Sequence, residues 1–104
     1  MSTPRQGEVW WAQAEDKRRP VLVVTRDVAV PVLNRVVVAP VTRTVRAIPT
    51  EVPLGAAEGL PVDCAASFDN LQPISRTLLF DRIGSLGDER RREICRALDA
   101  LADC

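Results

Sequence analysis

Histidine is absent from the 104 residues of this chain, and this absence restricts the chemistry available to it. Any proton transfer must use carboxylates, arginine, lysine, cysteine or hydroxyl groups, so acid-base designs built on imidazole are excluded. Aromatic residues are scarce as well, with two tryptophans, two phenylalanines and no tyrosine. Valine, leucine and alanine must therefore fill the interior.

The cysteines and the apolar runs exclude further classes of protein. Cys64, Cys95 and Cys104 form no CxxC pair and have no histidine to join them at a metal, so we expect unpaired thiols, as in a reducing cytosol. No apolar run approaches the ~20 residues of a membrane-spanning helix, and the opening MSTPRQGE lacks the apolar centre of a signal peptide. The sequence predicts a soluble cytoplasmic protein with no membrane segment, metal or other cofactor.

The composition predicts a single domain over residues 1–104, because 46% of residues are hydrophobic and 27% charged. A formal net charge of zero hides an asymmetry. Residues 1–50 carry eight Lys/Arg and four Asp/Glu, whereas residues 51–104 carry six and ten. Either each half has an ordinary solvated face, or a basic surface meets a polyanion while the acidic part faces elsewhere.

Short apolar segments separated by polar turns predict a mostly β (α+β) domain. Strands are expected at 7–14, 21–24, 35–41, 50–52, 64–71 and 80–83, and a helix at 88–101. This pattern favours a small barrel or sandwich of about five to seven short strands with a C-terminal helix. Trp10 and Trp11 fall on opposite faces of the first strand, and the pattern does not tell which is buried. Either could stack on a base, although core packing is the favoured interpretation.

Two arginine clusters stand out. Arg18 and Arg19 precede Pro20 and the apolar run 21–24, which indicates a basic loop leading onto a buried strand. The triplet at 90–92 opposes the dipole at the start of the predicted helix, and a solvated helix face is its simplest explanation.

Seven segments resemble, in order, those of the MazF/PemK toxins, the mRNA interferases of type II toxin-antitoxin systems. They are GEVW from Gly7, RRPVLVV from Arg18, VVVAPVT from Val36, TEVPL from Thr50, FDNLQPI from Phe68, RIGSL from Arg82 and a helix beginning with Asp88 and Glu89. The resemblance implies an SH3-like barrel of the CcdB/MazF/Kid type that forms a homodimer. It further implies an RNA groove across the dimer interface and a cognate MazE-like antitoxin.

The resemblance also implies the catalytic residues. An arginine before the proline of the second strand and a threonine at the end of the third act at the scissile phosphate, and Arg19 and Thr42 match these positions. Arginine's planar fork suits phosphate oxygens, and a hydroxyl can donate a further hydrogen bond to them. The general base stays open, because arginine does not normally give up its proton. Glu15 is the candidate, and an ordinary surface glutamate is the alternative.

We expect further RNA contacts from polar residues around these two. In many relatives an arginine and an acidic residue act where this chain has Gln72 and Ser75, so no catalytic role is assigned to either. Amides and carboxylates can instead hydrogen-bond the base edges of unstacked RNA, or simply cap turns at strand ends. The predicted RNA contacts are Gln13, Glu15, Lys17, Arg18, Arg43, Asp69, Asn70 and Gln72.

The predicted function is a sequence-specific, metal-independent and ribosome-independent endoribonuclease toxin that cleaves single-stranded RNA through its own 2′-hydroxyl group. Two alternatives stay open. A CcdB-like toxin would share the fold, bind DNA gyrase and need no catalytic arginine. A family member with degenerate catalysis, suggested by Gln72 and Ser75, would bind RNA without cutting it.

Overall fold

The computed structural model describes residues 3–103, which form one curled antiparallel sheet and a C-terminal helix. The predicted mostly-β class with a C-terminal helix is confirmed. Within these residues no helix is long and apolar enough to cross a membrane. The strands are β1 Glu8–Ala14, β2 Lys17–Val23, β3 Arg35–Thr42, β4 Glu51–Leu54, β5 Cys64–Ser67, β6 Gln72–Ser75 and β7 Leu79–Ser85, and the helix is α1 Arg92–Ala102.

Strand β3 organises the sheet, because it pairs with three other strands. One edge pairs with β2 from Val38 to Pro40. The other edge is divided: Arg35 to Val38 pair with β6, whereas Val41 and Thr42 pair with β5. The strand order β4-β5-β3-β2-β1-β7, with β6 on β3, follows from this division.

The two faces of the sheet carry separate apolar cores. The larger core lies between the sheet, β4, β5 and α1, and Phe68 and Ile94 are fully buried in it. The smaller core lies on the opposite face under the 26–34 loop, which contributes the buried Val30. Its other buried members are Trp10, Ala12, Val21, Val23, Val36, Val38 and Leu79.

The basic loop predicted before Pro20 is shorter than expected. Only Glu15 and Asp16 lie in the turn, and Lys17 to Arg19 already belong to β2. Cross-strand pairing with β1 draws these charged residues into the strand, because it satisfies their backbone groups regardless of side-chain type. Glu15 has a φ of 56°, in the left-handed region that a glutamate rarely adopts.

The segment 64–71 was predicted as one strand, and this is wrong. Strand β5 ends at Ser67, a 3₁₀ turn spans Phe68–Asn70, and β6 begins at Gln72. Burial of Phe68 in the larger core stabilises the turn, which carries the chain from one half of β3 to the other.

The two tryptophans differ in burial, as their alternation predicts. Trp10 is buried in the smaller core and its Nε1 donates a hydrogen bond to Glu8 Oε1 at 3.0 Å. Trp11 stays 37% exposed on the opposite face. Val9 and Trp10, although adjacent, are both buried because they point to opposite faces, each of which carries a core: Val9 lies in the larger core and Trp10 in the smaller one.

The arginine triplet at 90–92 was predicted to form a solvated helix face. This prediction is wrong for Arg90 and Arg91. Arg90 donates to both carboxylate oxygens of Glu93, to Glu58 Oε2 and to the carbonyl of Pro53. Arg91 donates to Gln6 Oε1 at 2.8 Å and to Asp27. Only Arg92 is exposed as expected. The first two therefore attach the start of the helix to the sheet.

The described cysteines are free thiols, in agreement with the prediction. Cys64 is buried in the larger core and Cys95 is exposed on α1. Burial raises the pKa of the Cys64 thiol, and the carboxylates of Asp63 and Glu58 raise it further. Cys104 lies outside the described residues.

Asp27 makes the protein sensitive to acid. Its Oδ1 accepts the backbone N–H of Gln6 at 2.6 Å, and this bond, with the charges of Arg91 and Arg5, holds the pKa of Asp27 below its ordinary value of 3.8. A lowered folded-state pKa contributes stability that is present above the ordinary value and is lost as pH falls through the folded value. We expect Asp27→Asn to lose less stability than the wild type between about pH 5 and about pH 3.

Urea midpoints measured at the two pH values check this expectation. Asp16→Asn is the matched control, because Asp16 is an exposed turn residue with the same charge change. Equal acid-dependent losses in the wild type and Asp27→Asn would contradict the assignment.

Candidate functional site

A groove of about 690 Å³ crosses the sheet on the side of the smaller core. We call it the main groove. Its floor is apolar and its rim polar, an arrangement typical of ligand sites. The floor is formed by Ala12, Val21, Pro40, Ile74 and Leu78, and the rim by Gln13, Glu15, Arg19, Thr42, Arg43, Ser67, Asn70 and Gln72.

Arg19 reaches the main groove from β2, opposite Ala12 of β1. Its side chain is exposed, and among residues 3–103 its guanidinium has no hydrogen-bond or ion-pair partner. Arg43, on the same rim, is likewise unpaired within the described chain. These two cations differ from Arg90 and Arg91, whose donors are occupied by the protein itself. They are therefore free to bind an anion.

Thr42 is the last residue of β3, held there by pairing with Ala65 of β5. Its Oγ1 accepts a hydrogen bond from the backbone N–H of Thr44 at 3.1 Å. Since this bond uses a lone pair and not the hydroxyl proton, Thr42 can still donate to a ligand oxygen. The hydroxyl is thus a positioned donor on the same rim as Arg19.

The β1–β2 turn forms one end of the main groove and contains Glu15. Gln13 holds the turn, because its Nε2 donates to the carbonyls of Glu15 at 3.1 Å and of Lys17 at 3.4 Å. The Glu15 side chain is exposed and makes no hydrogen bond or ion pair within the described residues. A free carboxylate therefore lines the same groove as Arg19 and Thr42.

The 3₁₀ turn and β6 supply the amides of the rim. Asn70 Nδ2 donates to Ser67 Oγ at 2.9 Å, which fixes its carboxamide against the buried residue Ser67. Gln72 is exposed and pairs with Val38 of β3. Asp69, predicted with them, does not line the groove, since its Oδ2 accepts the hydroxyl of Thr50 at 2.6 Å. Ser75 also lies outside it, within 2.8 Å of the Thr77 hydroxyl.

Lys17 and Arg18 lie outside the main groove, although they adjoin Arg19 in sequence. In a strand successive side chains point to opposite faces, so Arg18 lies on the face opposite Arg19. The Arg18 guanidinium carbon stands 5.8 Å from the centroid of the Phe80 ring. Lys17, which alternation places on the Arg19 face, stands at the start of β2 and borders a depression with Arg18 and Trp11. The predicted RNA contacts of Lys17 and Arg18 stay predictions, and they concern surfaces outside the main groove.

Several groove residues escaped prediction. Ser67 had a signal in the sequence, since it alternates with Asp69 at the polar end of an apolar segment, yet it was assigned no role. The apolar floor gave no signal, because Val21, Ile74 and Leu78 are indistinguishable from core residues until the strands are placed.

The arrangement favours chemistry at an anion. Two unpaired guanidinium groups, a positioned hydroxyl donor and a free carboxylate surround an apolar floor that partly excludes water. Within residues 3–103 no group of three or more Cys, Asp or Glu side chains is placed to hold a metal ion. Charge stabilisation and proton transfer are the two tasks these side chains can perform.

Comparison with known proteins gives consistent results. The description "PemK-like, MazF-like toxin of type II toxin-antitoxin system" belongs to the family profile that matches residues 5–102. A relative from Mycobacterium tuberculosis (strain ATCC 25618 / H37Rv), named "Probable endoribonuclease MazF5", is 44% identical over 103 residues, which are 97% of this chain and 94% of the relative.

Solved structures agree in fold. The Mycobacterium tuberculosis toxin MazF-mt6 superposes with a TM-score of 0.85 at 41% identity, covering 92% of this chain and 96% of that one. A mycobacterial endoribonuclease in complex with its cognate antitoxin superposes with a TM-score of 0.83 at 25% identity, covering 96% and 95%.

Proposed function

Because the chain belongs to the PemK-like, MazF-like toxins of type II toxin-antitoxin systems, we propose that it is an endoribonuclease toxin that cleaves single-stranded RNA in the main groove. The cleavage is sequence-specific and metal-independent, and it needs no ribosome. The toxin acts in the cytoplasm, where its substrate is found. A cognate MazE-like antitoxin neutralises it, in parallel with the mycobacterial endoribonuclease whose structure contains its antitoxin.

One observation carries the proposal: the unpaired guanidinium of Arg19 lies on the same rim as the Thr42 hydroxyl, whose proton is free. Arginine is always protonated in proteins and presents a planar fork of donors that matches phosphate oxygens. Two such donors fixed by neighbouring strands stabilise negative charge without reorganising during the reaction.

The reaction uses the nucleophile of the RNA itself. The 2′-oxygen attacks the adjacent phosphorus while its proton passes to a base, and the bond from phosphorus to the 5′-oxygen breaks. The departing 5′-oxygen takes up a proton, leaving a 2′,3′-cyclic phosphate and a 5′-hydroxyl end. Arg19 and Thr42 bind the phosphate oxygens, on which charge increases in the transition state. Asn70 and Gln72 lie on the same rim, where they can read base edges.

Purified protein incubated with a mixed pool of single-stranded RNA in the presence of EDTA tests the proposal. We expect cuts at a short recurring sequence, mapped by primer extension, and cyclic phosphate at the new 3′ ends. A folded protein that leaves the pool intact while retaining RNA in a gel-shift assay would favour the degenerate, binding-only alternative.

Glu15 is the proposed general base, and its strained backbone provides a sharp test. Asparagine tolerates a positive φ better than glutamate, so Glu15→Asn should raise the free energy of unfolding by about 0.5 to 1 kcal/mol. The same change removes the carboxylate and should lower kcat by about 100-fold or more. Stability is measured by urea unfolding and kcat by single-turnover cleavage.

Asp16→Asn is the control for Glu15→Asn, because it makes the same charge change at the neighbouring turn residue without a positive φ. We expect it to leave kcat within about twofold of the wild type, as for most surface substitutions. A stabilised Glu15→Asn variant with wild-type kcat would return Glu15 to the role of an ordinary surface glutamate.

The functional unit we propose is a homodimer with the main groove continuing across the interface. Leu78, on the groove floor, is 38% exposed, and Leu33 and Val32 are 44% and 78% exposed. The backbone N–H of Arg76 donates to the carbonyl of Asn34, so the segments that carry these residues touch. Exposed apolar side chains close together are typical of a surface that a partner covers.

The gyrase-binding alternative is not favoured by the family match or by the endoribonuclease relative. It makes a distinct prediction, because gyrase binding does not need Arg19. Growth arrest that persists in a folded Arg19→Ala variant would revive it.

A further inference from the structure

The pairing of β2 with β3 stops midway along both strands. The last pair towards the β1–β2 turn joins Val21 with Pro40, and beyond it the described pairing of β2 is with β1 and that of β3 with β5. Pro20, the next residue of β2, has no N–H group with which to extend the ladder. We call the space between these unpaired strand ends the cleft, because Val41 and Arg43 beside it line depressions on both faces of the sheet.

On the face opposite the main groove, this cleft leads to a second polar and aromatic surface. We call it the outer surface, and its residues are Trp11, Arg18, Pro20, Arg43, Val62 and Phe80, with Lys17 at its border where β2 begins. Val41 and Arg43 line both the main groove and the adjoining depression of the outer surface. The two surfaces are thus continuous around the end of β3.

The outer surface combines stacking groups with positive charge. Phe80 and Trp11 are 42% and 37% exposed, and Arg18 lies over the Phe80 ring. Arg18 and Arg43 are its cations and Lys17 borders it, while Asp81, the exposed cross-strand partner of Trp11, is a carboxylate at its β7 edge. Neither Lys17 nor Arg43 has an ion-pair partner within residues 3–103. Lys17, Arg18 and Arg43 are all exposed, so their side chains are accessible to a ligand and do not serve to fill the core.

We propose that single-stranded RNA flanking the cleavage site leaves the main groove through the cleft and binds the outer surface, with at least one base stacked on Trp11 or on the Arg18 guanidinium. This inference rests on the proposed function. Every base has a π face that can stack on an aromatic ring or a guanidinium, so the surface binds flanking nucleotides with little regard to sequence. Sequence is read in the main groove.

Continuity favours RNA over an acidic peptide as the occupant. A strand whose phosphate lies between Arg19 and Thr42 is already within the groove that Arg43 shares with the outer surface. An acidic peptide would match the cations, but it needs no path to the catalytic residues and has no reason to lie across the cleft. Peptide binding is therefore an outcome of the test and not the proposal.

The test uses a short RNA with about three nucleotides on each side of the cut and two longer ones extended by about six nucleotides on the 5′ or the 3′ side. For the wild type, one extension should raise kcat/KM by at least about fivefold. Trp11→Ala and Arg18→Ala should each lower the ratio of kcat/KM between the extended and the short RNA by at least about fivefold, and Trp11→Phe should restore most of it.

The ratio is the measured quantity because damage to folding or to the catalytic residues lowers both rates together. Arg92→Ala, at an exposed arginine on α1, should keep the wild-type ratio. A wild-type ratio near one for both extensions, or a ratio unaffected in Trp11→Ala and Arg18→Ala, would overturn the inference and leave the proposed function intact.

Two other outcomes also overturn the inference. If both variants keep the ratio but lose affinity for an acidic antitoxin peptide, the outer surface binds protein. If the wild type cleaves neither the short nor the extended RNA, the proposed function and the inference fail together.

Discussion

Replacing Arg19 with alanine is expected to lower kcat for RNA cleavage by about 100- to 1000-fold, the usual effect of removing one preorganised donor from a developing anion. The loss should be in kcat more than in KM, because the phosphate gains charge in the transition state. Arg19 is exposed and unpaired within the described chain, so stability should change by no more than about 0.5 kcal/mol. Single-turnover cleavage and urea unfolding measure the two quantities.

Two further variants make this result interpretable. Arg19→Lys keeps the charge but loses the planar fork, so its kcat should lie between those of the wild type and Arg19→Ala. Arg92→Ala removes an exposed arginine far from the groove and should retain wild-type kcat. A folded Arg19→Ala variant that cleaves RNA at the wild-type rate would remove Arg19 from the mechanism.

Replacing Arg90 with methionine is expected to destabilise the protein by about 3 kcal/mol. Glu58 is 4% exposed; its Oε1 accepts the N–H of Gly55 at 2.7 Å and its Oε2 accepts Arg90 at 3.1 Å. Without Arg90 the largely buried carboxylate loses the cation with which it forms its ion pair in the described structure. At about 4 °C per kcal/mol, Tm should fall by about 12 °C at a fixed protein concentration.

The double variant Glu58→Gln with Arg90→Met shows whether the lost stability of Arg90→Met comes from the buried charge of Glu58 or from the lost packing of the Arg90 side chain. Glutamine can still accept the Gly55 N–H group and carries no charge, so the double variant should recover at least about 1 kcal/mol relative to Arg90→Met. Arg92→Met is the matched control and should change stability by less than about 0.5 kcal/mol. A double variant less stable than Arg90→Met would show that the charge of Glu58 is not the source of the loss.

The same cluster explains why the start of the helix tolerates three arginines. Hydrogen bonds and charge from Arg90 hold the pKa of Glu93 below its ordinary range, and the Glu93 carboxylate in turn raises the pKa of Arg90. The unfavourable placement of cations near a helix N-terminus is therefore offset by carboxylates that the fold brings from residues 58 and 93. Glu93 lies in α1, close to the arginines in sequence, whereas Glu58 is distant in sequence. A local sequence pattern could therefore indicate only the contact with Glu93.

The most informative difference between sequence and structure concerns Arg18. The charged run 15–19 was interpreted as a loop, in which all its cations could support Arg19. Pairing with β1 makes residues 17–19 part of β2, and alternation then places Arg18 and Arg19 on opposite faces of the sheet. Strand propensity could not reveal this, because an exposed strand of a hairpin tolerates charged side chains once its backbone pairs with the neighbouring strand.

The sequence by itself determined the mostly-β class, the C-terminal helix and the places of most strands along the chain, since hydrophobic periodicity is a local property; it merged β5 with the turn before β6. It also indicated Arg19 and Thr42 through their places in recurring segments. Only the tertiary structure decided which cations are free and which are paired, which tryptophan is buried and which residues form the groove floor. These depend on contacts between segments far apart in the chain, such as Arg90 with Glu58 and Arg91 with Asp27, and no local pattern encodes them.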